Sequence, residues 1–183
     1  LTGLYTRQAF YHHARTFTHF MTEEKFNVVI LDVADFKLIN GTYGTKKGNE
    51  VLVYLSNAFR YYVKNGLLTR YEGDQLLGLF HSKVKMDVER INRNINKIAE
   101  EAPIPNIRIK VGIYEDIDTS LSIPIICDRA LMAEKSISKD FKTNVAFYTD
   151  EMNQKQLAQR QMENDFKSAI ANREFKVYYQ PKY

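Results

Sequence analysis

The sequence predicts an α+β fold, an α/β sandwich in which helices cover a largely antiparallel sheet. Short runs rich in valine and isoleucine alternate along the chain with longer segments of helical periodicity. Two apolar runs flank the turn in RYEGDQL, Arg70 to Leu76, which is typical of an antiparallel hairpin. Helices that fall between the other strands supply the second layer of the sandwich.

The first part of the chain predicts helix, strand and helix. Residues 6–22 carry apolar side chains at helical spacing. The run FNVVILDV, Phe26–Val33, is short and almost wholly apolar, which predicts a strand buried on both faces. We expect Asn40-Gly41 and Gly44 to break the short helical piece that follows, before a longer helix over residues 45–64.

The remaining elements of the sandwich follow from the same patterns. In chain order they are a hairpin over residues 67–81, an amphipathic helix from Val84 that Pro103 ends, a strand over 107–114, a helix over 122–139 and a strand over 144–148.

Composition divides the chain near Asp150. Residues 1–150 hold the alternating elements, whereas residues 151–172 predict a mostly polar connecting helix whose apolar residues come late. Residues 173–183, which include EFKVYYQPKY, predict the first strand of a second, truncated domain. Since the chain begins without Met, we expect it to be a fragment of a longer protein.

Composition also excludes several classes of protein. The 183 residues are 44% hydrophobic and 26% charged, which is typical of a globular protein. A single cysteine, Cys127, excludes a disulfide framework and a cysteine-rich zinc site, and it favours a reducing, cytoplasmic setting. The net charge of +4 is modest and its basic residues are scattered, so we expect no nucleic-acid partner. No apolar run approaches the roughly 20 residues that span a bilayer.

The pattern alone singles out Asp32 and Asp74 as candidate site residues. Asp32 is the lone acid of a buried strand, and Asp74 lies at the tip of the hairpin. If the two strands are neighbours, the carboxylates converge, and a divalent cation is the usual remedy for their repulsion. The alternative is structural: Asp32 is a strand-end acid paired with a lysine, and Asp74 serves the backbone of the turn.

Four blocks between Leu1 and about Tyr148 carry a resemblance to a known family. LTGLYTRQAF is similar to D-x-L-T-G-L-x-N-R, and LDVADFKLINGTYGTKKGNEVL is similar to D-x-D-x-F-K-x-I-N-D-x-x-G-H-x-x-G-D-x-x-L. RYEGDQL falls where R-x-G-G-D-E-F belongs, and CDRALMAEK is similar to A-D-x-A-L-Y-x-A-K. On these blocks the chain resembles the GGDEF domain, the diguanylate cyclase module of bacterial cyclic-di-GMP signalling.

The tail carries a second resemblance. FKSAIANREFKVYYQPKY is similar to the opening of an EAL domain, the cyclic-di-GMP phosphodiesterase module. The Glu-Ala-Leu signature of that module would come after Tyr183. The resemblance therefore implies a GGDEF–EAL tandem protein, of which residues 173–183 are the first strand of the EAL domain.

The GGDEF resemblance implies a fold and a reaction. The fold has a central, mostly antiparallel five-stranded sheet flanked by helices and is related to the polymerase palm. In the reaction, each subunit of a homodimer holds one GTP, and Mg²⁺ or Mn²⁺ ions bridge its phosphates. The 3′-hydroxyl of one GTP then attacks the α-phosphate of the other, so the protein mainly positions the substrates and neutralises charge.

The resemblance also implies roles for individual residues. Metal binding would fall to Asp32, the backbone of Val33, and Asp74, and Asp74 would also serve catalysis. The matched nucleotide-binding positions are Asn40, Asn49, Gly73, Lys135 and Lys139. The two asparagines would contact guanine, and the two lysines would contact phosphate.

Several positions depart from the family pattern. Glu72 replaces the first glycine of the signature, where a side chain crowds the GTP phosphates and a carboxylate repels them. Gln75 replaces the signature glutamate and lacks the charge to balance a second cation. Asn49, Ala34 and Thr45 replace the usual Asp, Asp and His. The R-x-x-D of the inhibitory product site would fall at residues 63–66, where VKNG does not match.

These departures favour a degenerate GGDEF domain. It would bind GTP weakly or not at all and regulate an attached EAL phosphodiesterase. The alternatives are an active or weakly active diguanylate cyclase and a purely structural dimerisation module.

Overall fold

The structure is a computed structural model that describes residues 1–20, 24–63, 65–81, 85–138, 143–179 and 181. The chain forms two compact units, Leu1–Tyr148 and Thr149–Tyr183. The first unit holds all five strands and four helices of the described chain, and the second holds one helix.

The helices and strands lie close to the ranges that the sequence predicts. In chain order they are α1 (Arg7–Phe20), β1 (Phe26–Val33), α2 (Phe36–Tyr62), β2 (Leu67–Glu72), β3 (Gln75–His81), α3 (Val88–Glu100), β4 (Ile109–Tyr114), α4 (Ile123–Lys135), β5 (Val145–Phe147) and α5 (Asp150–Ala171).

The sheet confirms the predicted α+β sandwich. Its strand order is β2-β3-β1-β4-β5. All neighbouring pairs are antiparallel except β4 and β5, which are parallel. The central strand β1 therefore has the hairpin β2–β3 on one side and β4 on the other, and both neighbours reach its carboxyl end.

Each face of the sheet has its own apolar core. On one face, Val29 and Leu31 of β1 belong to a cluster that includes residues of α2 and α3. On the other face, Val28 and Ile30 belong to a cluster with residues of α1 and α4. Alternate side chains of β1 thus enter opposite cores, which confirms the prediction of a strand buried on both faces.

One predicted helix break is wrong and another is correct. The chain stays helical through Asn40-Gly41 and leaves helical geometry at Gly44, whose φ is 81° and ψ 156°. A glycine adopts this backbone conformation without a Cβ clash, whereas Asn40-Gly41 needs no such conformation and remains in the helix. The two helical segments of α2 therefore meet at Gly44.

The third helix starts later than the spacing of its apolar residues predicts. It begins at Val88, because the Asp87 carboxylate accepts a hydrogen bond of 2.6 Å from the backbone N–H of Arg90 and caps the helix. Val84, where the predicted helix began, lies outside the described residues.

The second unit differs from its prediction at the carboxyl end. Helix α5 is present, but residues 174–179 and 181 lie in neither helix nor strand. A strand needs a neighbour to pair its backbone groups, and the described part of the chain offers this segment none.

Among the described helices, none combines the length and apolar character that crossing a membrane requires.

The single cysteine is expected to be inert in the folded protein. Cys127 lies on the buried side of α4 and is 0% exposed, and burial raises the pKa of its thiol to about 12. The reactive thiolate is therefore scarce at neutral pH. A disulfide reagent should label Cys127 only after denaturant unfolds the chain. Complete labelling of the native protein within minutes would contradict this placement.

Candidate functional site

The structure brings Asp32 and Asp74 together at the carboxyl end of the central strand β1. Asp32 is the penultimate residue of β1, and Leu31 beside it pairs with Leu76 of β3, just past the hairpin turn. The Asp74 carboxyl group lies close enough to the backbone of Val33 and to Asp32 for both to shift its pKa. Residues distant in sequence thus meet because β3 is the direct neighbour of β1.

The signature segment RYEGDQL forms the tip of the β2–β3 hairpin. Gly73 has a φ of 53°, and Glu72 pairs with Gln75 across the turn. The Arg70 Nε donates a hydrogen bond of 2.7 Å to the Gly73 carbonyl, which braces the turn. The side chain of Glu72 is exposed beside the half-buried Asp74. The hairpin therefore presents an additional carboxylate at the place where the family pattern has glycine.

Asp32 has a cationic partner that the sequence analysis did not identify. Lys110 lies directly opposite Asp32 on β4, and its Nζ is 3.0 Å from the Asp32 Oδ2. The same Nζ donates a second, short hydrogen bond to the Glu134 carboxylate of α4. Side-chain exposure is 15% for Asp32, 21% for Lys110 and 2% for Glu134. The lysine thus bridges two carboxylates in a largely buried position.

Helix α4 brings Glu134 to Lys110 because it packs tightly on β4. Glu134 follows Ala130 by one helical turn, on the side of α4 that faces the sheet. Gly112 of β4 lets the helix approach: a Cβ there would lie 2.2 Å from the Ala130 carbonyl oxygen and 2.4 Å from the Glu134 nitrogen. The position of Glu134 therefore depends on the missing side chain at residue 112.

Gly112→Ala is expected to lower the free energy of unfolding by about 3 kcal/mol. The added methyl group meets backbone atoms of α4 that cannot turn aside, so the helix must shift away from β4. Denaturant unfolding measures the change. Gly41→Ala is the control, since a Cβ there meets nothing within 4 Å. A loss at Gly112 no larger than the change at Gly41 would contradict the tight packing.

Burial and neighbouring charges shift the pKa of Lys110, Glu134 and Asp74, which lie around Asp32. For Lys110, burial lowers the pKa, but the bonds to Glu134 and Asp32 raise it by more, so the net shift is upward. Burial raises the pKa of Glu134, with Lys110 opposing and Asp32 adding to the rise. Burial also raises the pKa of Asp74, and the nearby Asp32 raises it further. Lys110 therefore stays protonated at neutral pH, and its positive charge offsets the negative charge of the carboxylates around it.

The predicted nucleotide-binding residues lie at several separate places in the fold. The Asn40 side chain lies against the backbone of Gly48. A Cβ at Gly48 would fall 2.0 Å from the Asn40 Oδ1. Asn49, the residue after Gly48, is exposed. Lys135 is exposed at the end of α4, and Lys139 lies outside the described residues.

Sequence reasoning missed Lys110 and Glu134, and only Glu134 carried a signal. Glu134 stands where the motif A-D-x-A-L-Y-x-A-K has alanine, and it continues the inward-facing series of Ile126 and Ala130. Lys110 occupies a polar position in an alternating strand and so resembles an ordinary solvent-facing lysine. Their meeting depends on strand register and helix packing, which the sequence pattern does not specify.

The residues around Asp32 do not fit a divalent cation as they are arranged. Magnesium needs free carboxylate oxygens, yet one oxygen of Asp32 already accepts from Lys110. An ammonium and a divalent cation at the same carboxylate also repel each other. In the described ranges, no group of at least three His, Cys, Asp and Glu side chains is arranged to hold a metal ion.

Comparison with known proteins agrees with the fold and the motifs. The family described as "Diguanylate cyclase, GGDEF domain" matches residues 1–139. The curated relative MucR of Pseudomonas aeruginosa, a bifunctional diguanylate cyclase/cyclic di-GMP phosphodiesterase, is 25% identical over 170 residues. That match covers 87% of this chain and 24% of MucR. Diguanylate cyclase DosC of Escherichia coli is 32% identical over 103 residues, which are 56% of this chain and 21% of DosC.

Solved structures show the same fold. The GGDEF domain of YfiN (TpbB) from Pseudomonas aeruginosa aligns with a TM-score of 0.66 at 19% identity and covers 86% of this chain and 96% of that one. An active GGEEF domain of a Vibrio cholerae diguanylate cyclase aligns with a TM-score of 0.62 at 21% identity. The alignment covers 80% of this chain and 98% of that one. The match spans about a quarter of the length of MucR and about a fifth of the length of DosC. The family match over most of the chain shows that the protein belongs to the diguanylate cyclase GGDEF domain family.

Proposed function

We propose that this chain contains a degenerate GGDEF domain that forms no cyclic-di-GMP and regulates an attached EAL phosphodiesterase domain. The observation that carries the proposal is Glu72, an exposed carboxylate at the tip of the signature hairpin beside Asp74. A nucleoside triphosphate is strongly anionic. A carboxylate at the position where its phosphates would approach the hairpin turn therefore repels it. The bulk of the side chain also keeps phosphate away from the backbone of the turn.

Gln75 supports the same proposal. It closes the hairpin opposite Glu72 and offers an amide where the signature has a carboxylate. An amide oxygen is a neutral ligand, so a second divalent cation would lack a charged partner on this strand. GTP bound without its cations has no means of spreading the charge that develops on its α-phosphate.

The EAL partner is proposed from the tail and from one relative. The MucR match covers a larger share of this chain than the family match over residues 1–139, and MucR is named as both a cyclase and a phosphodiesterase. Without turnover of its own, a GGDEF domain in such a protein acts on the phosphodiesterase through nucleotide occupancy or domain contacts. GTP and a second copy of the chain are the partners we propose.

Calorimetric titration with GTP tests the proposal. We expect weak GTP binding that Mg²⁺ does not strengthen. Glu72→Gln should strengthen it by removing the charge, and Glu72→Gly should strengthen it further by removing the bulk, by roughly tenfold in total. Tight GTP binding by the unaltered protein, unchanged in both variants, would contradict the role given to Glu72.

A further inference from the structure

We propose that the Lys110 ammonium is a built-in cation that takes the place of a divalent metal beside Asp32 and keeps such metals out. The inference deepens the proposed function and rests on it. It explains how a site with converging carboxylates is stabilised within the fold, and it identifies Lys110 as the residue that determines cation selectivity.

The first argument is positional. Asp32 is the carboxylate that the family resemblance gives to the metal, and Lys110 Nζ lies 3.0 Å from its Oδ2. The lysine arrives from the neighbouring strand, directly across from Asp32, so its backbone position is fixed by sheet register. Such a cross-strand pair needs no conformational change to form, and it is part of the folded sheet.

The second argument is charge balance. Asp74 and Asp32 interact electrostatically, and Glu134 lies on the other side of Lys110. Three carboxylates without a cation would repel one another in a partly buried site. One ammonium with several N–H donors bonds two of them and lies close enough to interact with the third. The lysine therefore performs the neutralisation that a metal performs in a carboxylate cluster.

The third argument is the fixation of the lysine by Glu134. A lysine on an open surface turns away easily, but Glu134 is 2% exposed and bonds the same Nζ from the α4 side. Glu134 belongs to a helix that packs against the backbone of Gly112 without space for a Cβ. The ammonium is thus held between a strand and a helix, and a metal would have to displace it from both carboxylates.

Titration of the protein with Mn²⁺ alone, followed by the electron paramagnetic resonance of the free ion, tests this inference. We expect no saturable Mn²⁺ binding up to millimolar concentration in the unaltered chain. Lys110→Met should gain saturable binding, at least roughly tenfold tighter than any binding by the unaltered chain, since the carboxylates around Asp32 then lack their ammonium. Adding Asp32→Asn to that variant should abolish the gain.

A second variant covers the case in which Lys110→Met fails to fold. Lys110→Met/Glu134→Gln leaves no buried unpaired carboxylate at residue 134, and we expect it to gain Mn²⁺ binding through Asp32 and Asp74. Lys47→Met is the matched control, because Lys47 is an exposed lysine whose partner is Glu50 and not Asp32, and it should gain none. Equal Mn²⁺ binding in the unaltered chain and the Lys110 variants, whether tight or undetectable, would overturn the inference.

The titration contains no nucleotide and therefore separates this inference from the proposed function. Formation of cyclic-di-GMP by the unaltered chain would overturn the proposed function. Mn²⁺ binding through Asp32 in the unaltered chain, without product formation when GTP is added, would overturn only the role of Lys110.

Discussion

Lys110→Met is expected to lower the free energy of unfolding by about 3–5 kcal/mol. Methionine keeps an unbranched side chain of similar length but removes the ammonium, which leaves Glu134, 2% exposed, without its cation. Asp32 loses the same partner. Either the carboxylates take up protons or the structure opens to let in water, and both responses lower stability. Urea denaturation followed by circular dichroism measures the difference.

Two further variants show whether that loss belongs to the buried pair. Lys110→Met/Glu134→Leu should recover most of the stability, because both charges are removed together. Lys47→Met should change stability by less than about 1 kcal/mol, since Lys47 and Glu50 form a solvent-exposed pair. Equal losses at Lys110 and Lys47 would show that the bridge to Glu134 contributes nothing particular.

Restoring the signature residues alone is expected to leave the domain inactive. The variant Glu72→Gly/Gln75→Glu removes the repulsive carboxylate and returns the signature acid, but Lys110 still occupies the oxygen of Asp32. We therefore expect no cyclic-di-GMP from this variant and no strengthening of GTP binding by Mg²⁺. Product analysis by chromatography and calorimetry with and without Mg²⁺ provide the two measurements.

Removal of the bridge in the restored variant should change its response to metal. Adding Lys110→Ala and Glu134→Ala should make GTP binding depend on Mg²⁺, with affinity roughly tenfold or more above the metal-free value. Asp74→Ala in that background should remove the dependence and serves as the control. Rapid product formation by Glu72→Gly/Gln75→Glu alone would show that Lys110 is no obstacle to catalysis.

The fold follows from local patterns wherever a single element carries its own signal. Strand β1 covers the predicted range because each of its faces enters an apolar core. The helix break was harder to locate, since glycine and asparagine are permitted in helices and only the backbone angles of Gly44 show which residue leaves the helix. Helix α3 begins where Asp87 caps it. In the sequence, the apolar spacing extends back to Val84 and therefore predicts an earlier start.

The candidate site was predictable only in part. The meeting of Asp32 with Asp74 follows from the assumption that their strands are neighbours, and the structure has them so. The structural alternative, in which Asp32 pairs with a lysine, matches the observed contact with Lys110. The contact of Glu134 with Lys110 could not be predicted, because it depends on how closely α4 approaches Gly112. Tertiary packing, and not local propensity, determines that contact.

Incubation of the unaltered protein with GTP and either Mg²⁺ or Mn²⁺, with product analysis, tests the central claim most directly. A fused dimerisation segment should be included so that a failure to pair is not mistaken for inactivity. We expect no cyclic-di-GMP with either metal, because Glu72 repels the phosphates and Lys110 occupies Asp32. Formation of cyclic-di-GMP that is lost on Asp74→Ala would contradict the account.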